Sequence, residues 1–496
     1  IVRKDGSTVW AEDASGKTIA SGEAGVDDAS VIQSVLNYLP DLRTRASSAP
    51  PVVILKGSFT TNTKIVVDKV VKFVGENCII NIQSNTGFEV FNGNTSTDDP
   101  YPQGVVFEGL TVRGDGTNTA FEFKYCSDWE LRYVWVGNVA HSLVLERTWG
   151  DSQLVLNCHF GGTPPDGKGL IQINTPENDN TNAVTFVNLI ASIYNENAAV
   201  LHAEQQVRST GAQGFNFYKV YQEGDGKFMT GYWEAFGIYG GVLNNKKVSF
   251  DFTFCKSGLI QINSSKSFLA TEAHSMTLKI KYIAPADTKP AVHIGKGNNN
   301  VIQIGQIDRG VGLGSDNSYI LIGDADLVLN NIIEGVTFTC CEGKSAIECG
   351  SHVYQDNLIV RNCKFKNLNS EGTIPTMYAI YTNGPTVLVE DCIFEQTSNY
   401  VLTNDISKLR LKGCKFGEFR SENSGTATFS GDGTTTQFSI AHGLVSTPTK
   451  VLVTPMTADA AADFYVTADD TNIYINYLTA PAAGTDNLKF SWYAEV

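Results

Sequence analysis

The sequence lacks the features that mark membrane-spanning, nucleic-acid-binding and secreted precursor proteins. Its 496 residues contain no run of 18 apolar residues, so no membrane insertion is predicted. No cluster of Lys or Arg interrupts a net charge of −15, which disfavours both a nucleic-acid partner and binding to an anionic membrane surface. The first residues lack a basic region followed by a short apolar stretch, so no signal peptide is predicted.

Metal-ligand spacing is also missing, although ten cysteines are present. The only local cluster is Cys340, Cys341 and Cys349, with His352 nearby, and it contains no Cys-x-x-Cys pair. This spacing favours buried or surface thiols over a zinc site. We therefore predict no metal and no cofactor.

The sequence does contain a motif of eight residues that occurs three times, as LIVRNCKF, VLVEDCIF and LRLKGCKF, and that we call the repeated phrase. Each copy alternates apolar and polar residues, which is typical of a half-buried strand, and then passes through Asn, Asp or Gly into Cys-x-Phe. The cysteines of the three copies, Cys363, Cys392 and Cys414, are 29 and 22 residues apart. Such a repeat predicts a parallel β-helix with ladders of Cys and Phe inside.

Earlier segments follow the same pattern more loosely. Asn, Gly or Asp at the bend tolerates left-handed backbone angles at little cost. Cys158 is equivalent to the three cysteines of the phrase, and at all four positions Cys is expected to behave as a small buried hydrophobe. The segments cover residues 105–114, 154–162, 184–192, 248–257 and 332–340.

The first 45 residues differ from the repeats. Residues 3–22 contain two turn dipeptides and are predicted to form a hairpin. A helix follows, with Asp27, Asp28 or Ser30 as its N-cap and with Ser30 and Gln33 as a capping box. Its apolar face is expected to cover the open first coil of the β-helix. That face consists of Val31, Ile32, Val35, Leu36 and Leu39.

This opening resembles that of pectate-lyase-like proteins, which begin with an Asp-Asp-x-x-x-Ile-Gln helix. Asp28, Ile32 and Gln33 match the motif, whereas Lys56-Gly57-Ser58-Phe59 stands where Pro-Ala-Gly-x-Tyr is usual. The resemblance covers the first 80 residues well and the remainder only by its repeats. It implies a right-handed parallel β-helix.

Residues 424–496 differ again, because short alternating strands are separated by turn dipeptides at about ten-residue spacing and cysteine is absent. This pattern predicts a β-sandwich. The segment is similar to C-terminal domains of viral tail fibres and tailspikes, which often trimerise or contact a receptor. His442 falls in the matching Ala-His-Gly-Leu and is a candidate ligand-binding residue, although a lone histidine is more often a hydrogen-bonded turn residue.

The expected fold is therefore all-β, with an N-terminal hairpin and helix cap (1–45), a parallel β-helix (46–423) and a C-terminal β-sandwich (424–496). The resemblance to tailspikes implies a homotrimer at a virion surface or outside cells, bound to a host-surface polysaccharide or glycoprotein. Two alternatives remain open: a polysaccharide hydrolase or lyase, and a purely structural fibre. The polygalacturonase signatures Asn-Thr-Asp, Gly-His-Gly and Arg-Ile-Lys are absent, so catalysis stays uncertain.

The candidate site lies in residues 201–241, with a ligand surface centred on residues 204–251. Here aromatic rings that could stack on sugars alternate with carboxylates that could bind hydroxyl groups. Spacings of 21 and 26 residues between acids approach one coil, which could bring an acid and a base together. In the alternative interpretation the acids are solvated and the aromatics are core or interface residues. The predicted stacking residues are Tyr218, Tyr221, Tyr232, Trp233 and Tyr239, and the predicted acids are Glu204, Asp225, Glu234 and Asp251.

Overall fold

The computed structural model describes most of the chain, and the structural statements below concern the described residues. The residues left out are 43–48, 92, 94–101, 151, 176–180, 206–211, 246–247, 284–288, 308–317, 324–327, 340–344, 350–354, 367, 369–377, 383–385, 396–400 and 404–407. The chain forms two compact units, each described separately. Unit 1 comprises 1–304, 310–313 and 320–325, and unit 2 comprises 305–309, 314–319 and 326–496.

The chain begins with three antiparallel strands and a helix, which are β1 (Val2–Asp5), β2 (Thr8–Glu12), β3 (Thr18–Glu23) and α1 (Asp28–Tyr38). The strands that follow are β4 (Val52–Thr61), β5 (Ile65–Val67), β6 (Lys72–Ile82), β7 (Thr86–Val90), β8 (Val106–Arg113), β9 (Thr119–Ser127), β10 (Glu130–Arg132), β11 (Trp135–Val139), β12 (His141–Trp149), β13 (Gln153–Leu156), β14 (His159–Gly162), β15 (Gly169–Thr175), β16 (Val184–Ile193), β17 (Ala199–Gln205), β18 (Phe215–Gly224), β19 (Lys227–Asn245) and β20 (Phe250–Ser265).

The later strands are β21 (Phe268–Ala273), β22 (Met276–Ile283), β23 (Val292–Asn298), β24 (Val301–Ile307), β25 (Ile320–Ile322), β26 (Val328–Glu334), β27 (Thr337–Thr339), β28 (Ser345–Cys349), β29 (Gln355–Arg361), β30 (Lys364–Lys366), β31 (Tyr378–Thr382), β32 (Val387–Glu390), β33 (Ile393–Glu395), β34 (Val401–Thr403), β35 (Leu409–Lys412), β36 (Lys415–Phe416) and β37 (Phe419–Arg420). The chain ends with β38 (Glu422–Gly431), β39 (Gln437–Ala441), β40 (Lys450–Pro455), a 3-10 helix (Asp459–Ala461), β41 (Phe464–Ala468), β42 (Asn472–Tyr477) and β43 (Gly484–Glu495).

From β4 onward, the strands of unit 1 pair in parallel with the equivalent strand one coil away, which makes a β-helix with three faces. Face 1 contains β9, β12, β15 and β17. Face 2 contains β10, β13 and the first halves of β16 and β18, and face 3 contains β14 and their second halves. The long strand β19 passes through all three faces, pairing first with β17 and then with β18. The predicted parallel β-helix is confirmed by this pairing.

The bend between faces 2 and 3 is made by residues with left-handed backbone angles. Asn157, Asn188, Lys219 and Gly240 have φ of 51°, 55°, 59° and 87°. In unit 2 the residues before the repeated cysteines behave in the same way, with φ of 54°, 52° and 62° at Asn362, Asp391 and Gly413. The sequence prediction that Asn, Asp or Gly marks each bend is therefore confirmed for the repeated phrase.

The interior of unit 2 contains the predicted ladders. The rings of Phe338, Phe365, Phe394 and Phe416 stack with centroids 5.0, 4.8 and 4.8 Å apart, close to the distance between neighbouring strands. Cys363, Cys392 and Cys414 are buried free thiols on successive coils, as predicted. Each coil thus repeats the packing of the coil before it.

The C-terminal strands form two antiparallel sheets of three strands each, β38-β43-β40 and β39-β42-β41. Ile473 and Ile475 from one sheet pack in a common core with Leu488 and Phe490 from the other. The predicted β-sandwich is therefore present within unit 2.

The N-terminal helix caps the first coil, but its predicted capping box is wrong. The helix begins at Asp28, and the Gln33 side chain pairs with the backbone N–H and C=O of Val66 instead of capping the helix. The Ser30 hydroxyl donates to the Asp27 carbonyl. Gln33 therefore fastens the helix to β5, because its side chain replaces a neighbouring strand for Val66. Within the described residues, no helix has the length and apolar character needed to cross a membrane.

Candidate functional site

Large apolar side chains are exposed on faces 2 and 3 of unit 1, on either side of the bend. Tyr218 and Tyr239 lie on face 2, with 43% and 39% of their surface exposed. Trp135, Ile190 and Tyr221 lie on face 3 and are each more than a third exposed. We call these five residues the aromatic edge. Isolated exposed apolar residues are common, but a contiguous group on adjoining coils is typical of a binding surface.

The two tyrosines of face 2 form a stacked pair. Tyr218 and Tyr239 are register partners on β18 and β19, and their rings lie 4.9 Å apart with an interplanar angle of 13°. Because this distance equals the spacing of neighbouring strands, the rings stack along the ladder, and one face of each ring is covered by the other. The ring face of Tyr239 that Tyr218 does not cover is directed toward the next coil, where the register partner of Tyr239 is Gln261.

Glycine makes room for this pair. A Cβ atom built on Gly237 would lie 2.6 Å from Cε2 and 2.7 Å from the hydroxyl oxygen of Tyr239. The Tyr239 ring therefore covers the backbone of Gly237. The same arrangement recurs on face 3, where a Cβ on Gly137 would lie 2.2 Å from the Trp135 ring. In both cases a glycine two residues after or before the aromatic residue lets the ring rest on the sheet.

The face 3 members of the aromatic edge form one column. Trp135 pairs with His159, His159 with Ile190, and Ile190 with Tyr221. The guanidinium of Arg113 lies 5.7 Å from the Trp135 ring centroid, within cation–π range. The column thus presents apolar side chains on three of four successive coils, with His159 between Trp135 and Ile190.

A polar column runs beside it. His159 Nε2 lies 3.3 Å from the Ser192 hydroxyl, which donates to Glu223 Oε1 at 2.9 Å. Burial lowers the pKa of His159, although the Glu223 carboxylate opposes this effect, so the imidazole is neutral at pH 7. The serine hydroxyl lies between the imidazole and the carboxylate, so the histidine does not bridge them as it does in a Ser-His-Asp triad. The column therefore offers hydrogen-bonding groups beside the aromatic edge.

A groove of about 370 Å³ lies one coil beyond Tyr239. Gly240 at the bend has open space where a side chain would be, and this leaves the groove open above β20 and β22. Ile262 and Ile280 lie at its base, and the polar lining residues are Gln261, Asn263, Lys279, Lys281 and Gln303. We call this the polar groove.

The predicted carboxylates lie on face 1 and its turns, away from the exposed tyrosines. Glu204 pairs with Lys168 at 2.7 Å, and Asp251 pairs with Lys227 at 2.5 Å. Glu234 is buried at the turn between faces 1 and 2, and Lys256 lies 3.0 Å from its carboxylate. These ion pairs hold the acids against neighbouring coils.

The structure does not bring these acids together as the sequence spacing suggested. Asp225 lies in the turn before β19, and its backbone N–H donates to the Ile193 carbonyl. Because β19 begins beside the start of β17, Asp225 lies near that start, whereas Glu204 lies near the end of β17. At about 3.3 Å per residue this separates the two by roughly 20 Å. Asp225 is also five residues before Thr230, the register partner of Asp251. The predicted one-coil pairing of Asp225 with Glu204 or Asp251 is therefore wrong.

Two predicted ligand-binding residues, Trp233 and His442, are fully buried, and a third, Tyr232, is only partly exposed. Trp233 is fully buried, donates from Nε1 to the Thr230 carbonyl at 2.9 Å and packs against Phe215. The prediction that Trp233 stacks on a sugar is therefore wrong. Tyr232 is half-buried at the turn before face 2.

His442 is also fully buried, in the sandwich. Its Nδ1 accepts from the Leu444 N–H at 3.0 Å, so Nε2 carries the proton and donates to the Asp469 carbonyl. The structure therefore favours the alternative named for this residue, a hydrogen-bonded turn histidine, over a ligand-binding one.

Sequence reasoning missed Trp135, His159 and Ile190. These residues belong to three different coils, and only the strand register places them beside Tyr221. One sequence signal for the exposed rings was available. Trp135 is followed two residues later by Gly137, and Tyr239 is preceded two residues earlier by Gly237.

Unit 2 contains a larger cavity of about 820 Å³, between the last coils and the sandwich. Most of its charged groups have partners: Lys412 with Glu390, Glu495 with Lys450, and Glu422 with the Tyr493 hydroxyl. The charges of Lys412 and Glu495 are thus neutralised by neighbouring side chains. Among the residues that the structure describes, no group of three or more His, Cys, Asp or Glu side chains could hold a metal ion. Of the zinc cluster considered above, Cys349 is a buried free thiol, and Cys340, Cys341 and His352 lie outside the described residues.

No protein-family model matches the sequence, and no curated protein matches it. Solved structures do match. The chain is similar to a double mutant of the tailspike protein of E. coli bacteriophage HK620 in complex with pentasaccharide, at 10% identity and a TM-score of 0.45, over 98% of this chain and 92% of that chain.

Two further similar structures are the tailspike of Pseudomonas phage phi297, at 8% identity and a TM-score of 0.35 over 90% of each chain, and PfbA, a surface adhesin of Streptococcus pneumoniae. The adhesin is 12% identical with a TM-score of 0.33, over 80% of this chain and 91% of that chain. The chain thus matches phage tailspike structures over nearly its whole length, as the sequence resemblance predicted. Since all three TM-scores are below 0.5, the assignment of the fold rests on the strand pairing of the chain itself.

Proposed function

We propose that this chain is a surface-attachment protein that binds a host-cell polysaccharide or the glycan of a glycoprotein through the aromatic edge. The observation that carries the proposal is the exposed Tyr218–Tyr239 stack, in which the absence of a side chain at Gly237 lets the Tyr239 ring rest on the sheet. Rigid aromatic rings offer flat apolar faces to sugar rings at little entropic cost, and nearby polar groups bind the hydroxyls. The column of His159, Ser192 and Glu223 supplies such groups on face 3.

The proposed setting is a virion surface, with the chain as a homotrimer. It is supported by the sequence similarity of residues 424–496 to C-terminal domains of viral tail fibres and tailspikes. Exposed apolar residues on the sandwich, including Leu452, Tyr465 and Leu478, provide surface for a subunit contact. Light scattering of the full chain tests this part, and a monomeric mass would contradict it.

An array of bacterial surface polysaccharides tests glycan binding directly. We expect the full chain to bind a subset of the array and the double variant Tyr218→Ala/Tyr239→Ala to lose about tenfold or more in affinity for the same subset, because two stacking rings are removed. Trp135→Ala should weaken binding by about threefold to tenfold. Tyr38→Ala, which removes an exposed ring from the N-terminal helix, is the matched control.

Two outcomes would contradict the proposal. If no polysaccharide or whole cell is bound, the chain is not an attachment protein. If binding survives the double variant but is lost with Tyr465→Ala, the receptor site is on the sandwich. A reducing-end assay on each bound polysaccharide tests the alternative of a hydrolase or lyase, and the absence of any binding partner would favour a structural fibre.

A further inference from the structure

We infer that the polar groove binds an anionic sugar residue, so that the polysaccharide recognised by this chain is acidic. The inference rests on the proposed function, because it assigns one subsite of the same glycan surface. Its basis is a set of four side chains, Gln261, Asn263, Lys279 and Lys281, which line one groove. The structure gives none of these side chains a hydrogen-bond or ion-pair partner among the described residues.

Lys279 and Lys281 lie on one strand, and neither has an ion-pair partner among the described residues. The 52 acidic residues of the chain outnumber the 37 Lys and Arg residues, so most cations can find a carboxylate. On the opposite side of unit 1, Lys168, Lys227 and Lys256 each pair with an acid at 3.0 Å or less. Lys279 and Lys281 instead project from the same side of β22, with Ile280 buried between them. Two like charges side by side, with no counter-ion among the residues that the structure describes, create a local positive potential that a bound anion would relieve.

The position of the groove connects it to the aromatic edge. Tyr218, Tyr239, Gln261 and Lys279 are successive register partners in one row of face 2. Since each step along the row is about 4.8 Å, Lys279 lies roughly 10 Å from Tyr239. A saccharide chain stacked on the uncovered face of Tyr239 and continuing along the row therefore reaches the polar groove with its next residues.

The chemistry of the lining points to an acidic sugar rather than to a small inorganic anion. The amides of Gln261 and Asn263 both donate and accept hydrogen bonds, which suits sugar hydroxyls. The ammonium groups of Lys279 and Lys281 only donate, and a charged acceptor strengthens such bonds. Because both lysines are exposed, salt screens their attraction. An isolated anion would thus be held weakly, whereas an anion carried on a chain that also stacks on Tyr239 benefits from both contacts.

The test uses the full chain and an array on which each acidic bacterial polysaccharide is printed in three forms: native, carboxyl-reduced and dephosphorylated. We expect binding to native acidic polysaccharides, with a loss of about tenfold or more when the charged group is removed. The form that loses binding shows whether the anion is a carboxylate or a phosphate. Lys279→Gln/Lys281→Gln should produce a similar loss on the native form and little change on the neutral form.

The control Lys17→Gln/Lys415→Gln changes the net charge equally, at two exposed lysines distant from the groove in sequence, and should leave binding unchanged. Raising the salt concentration should weaken binding of the unmodified chain more than binding of Lys279→Gln/Lys281→Gln. Binding that depends on Tyr239 but is equal for charged and neutral forms would overturn this inference and leave the proposed function intact. Loss of the acidic preference in the control variant would also overturn it. Binding to no polysaccharide would contradict both.

Discussion

The ring of Tyr239 occupies the space that a side chain on Gly237 would need. An added Cβ would lie 2.6 Å from Cε2 of the ring, well inside van der Waals contact. The atoms in the way belong to the far end of a side chain that can rotate, so the backbone need not move. A side chain at Gly237 therefore changes where the ring lies more than whether the protein folds.

This relationship predicts that Gly237→Ala separates binding from stability. The displaced Tyr239 ring can no longer stack on Tyr218 in its present position, so glycan affinity should fall by about threefold to tenfold, while the melting temperature falls by only a few degrees. In a double-mutant cycle, Gly237→Ala should cost less stability in a Tyr239→Ala background than in the unmodified chain, since the clash is absent there. Equal costs in both backgrounds would contradict the relationship.

The N-terminal cap depends on a buried ion pair. The Asp28 carboxylate is fully buried and accepts hydrogen bonds from Lys4 Nζ at 2.7 Å, from the Thr60 N–H at 2.7 Å and from the Gly25 N–H at 2.9 Å. Asp28→Ala leaves these donors without a partner and should lower the free energy of unfolding by about 3 kcal/mol or more. The Asp27 carboxylate accepts an exposed hydrogen bond from the Glu23 N–H, so Asp27→Ala should lower the free energy of unfolding by less. Denaturant unfolding measures both, and equal losses would refute the assigned role of Asp28.

The buried thiols of Cys363, Cys392 and Cys414 should react slowly with thiol reagents, and substitution of Cys392 should lower the free energy of unfolding. The hydrogen bond with Cys363, together with burial, raises the pKa of Cys392 to about 12, so the reactive thiolate is scarce at pH 8. Its sulfur lies 3.5 and 3.4 Å from the carbonyl oxygens of Val360 and Glu390, too far for a hydroxyl to bond well. Cys392→Ser should therefore cost about 1–3 kcal/mol in unfolding experiments. Rapid labelling of Cys363, Cys392 and Cys414 in the native state would show that they are accessible.

The sandwich should lose stability in acid through Asp469. Hydrogen bonds from the N–H groups of Thr471 and Asn472 and from the Tyr474 hydroxyl hold the pKa of this carboxyl well below its usual value. A depressed pKa in the folded state contributes stability that is complete above the unfolded pKa and is lost as the pH falls below about 4. Asp469→Asn should lower the melting temperature at pH 7, and its difference from the unmodified chain should shrink toward pH 3. The same pair of measurements on Asp463→Asn, at another carboxylate of the sandwich, is the control.

The strands were predictable where the chain alternates without interruption. The repeated phrase predicted the bends at Asn362, Asp391 and Gly413. It also predicted the buried Cys-x-Phe after each bend, because the alternation of apolar and polar residues determines which side chains point inward. The exposure of Tyr218 and Tyr239 agrees with the same rule. The boundaries proposed for the three domains stay a prediction.

Residues beyond an irregularity could not be placed from the sequence. The pairing of β19 with β20 shifts register between Gly231 and Tyr232, and a shift of one residue exchanges the inner and outer sides. Trp233 lies directly after this shift and is in the core, where the sequence alone did not place it. The predicted pairing of the acids was wrong for a related reason. The number of residues between two acids indicates how many coils separate them, but it does not give the position of each acid within its coil.

The phenylalanine ladder of unit 2 makes its coils interchangeable. Phe365 and Phe394 each meet a neighbouring ring above and below at nearly the same distance and angle, so each coil presents the same interior to the coils on both sides. Joining Asn362 directly to Cys392 would remove one such layer and bring Phe338 into line with Phe394. The β-helical part of unit 2 would become shorter by one strand spacing, about 4.8 Å. Evolution, or a protein engineer, can thus adjust the length of this part in fixed increments without redesigning its interior.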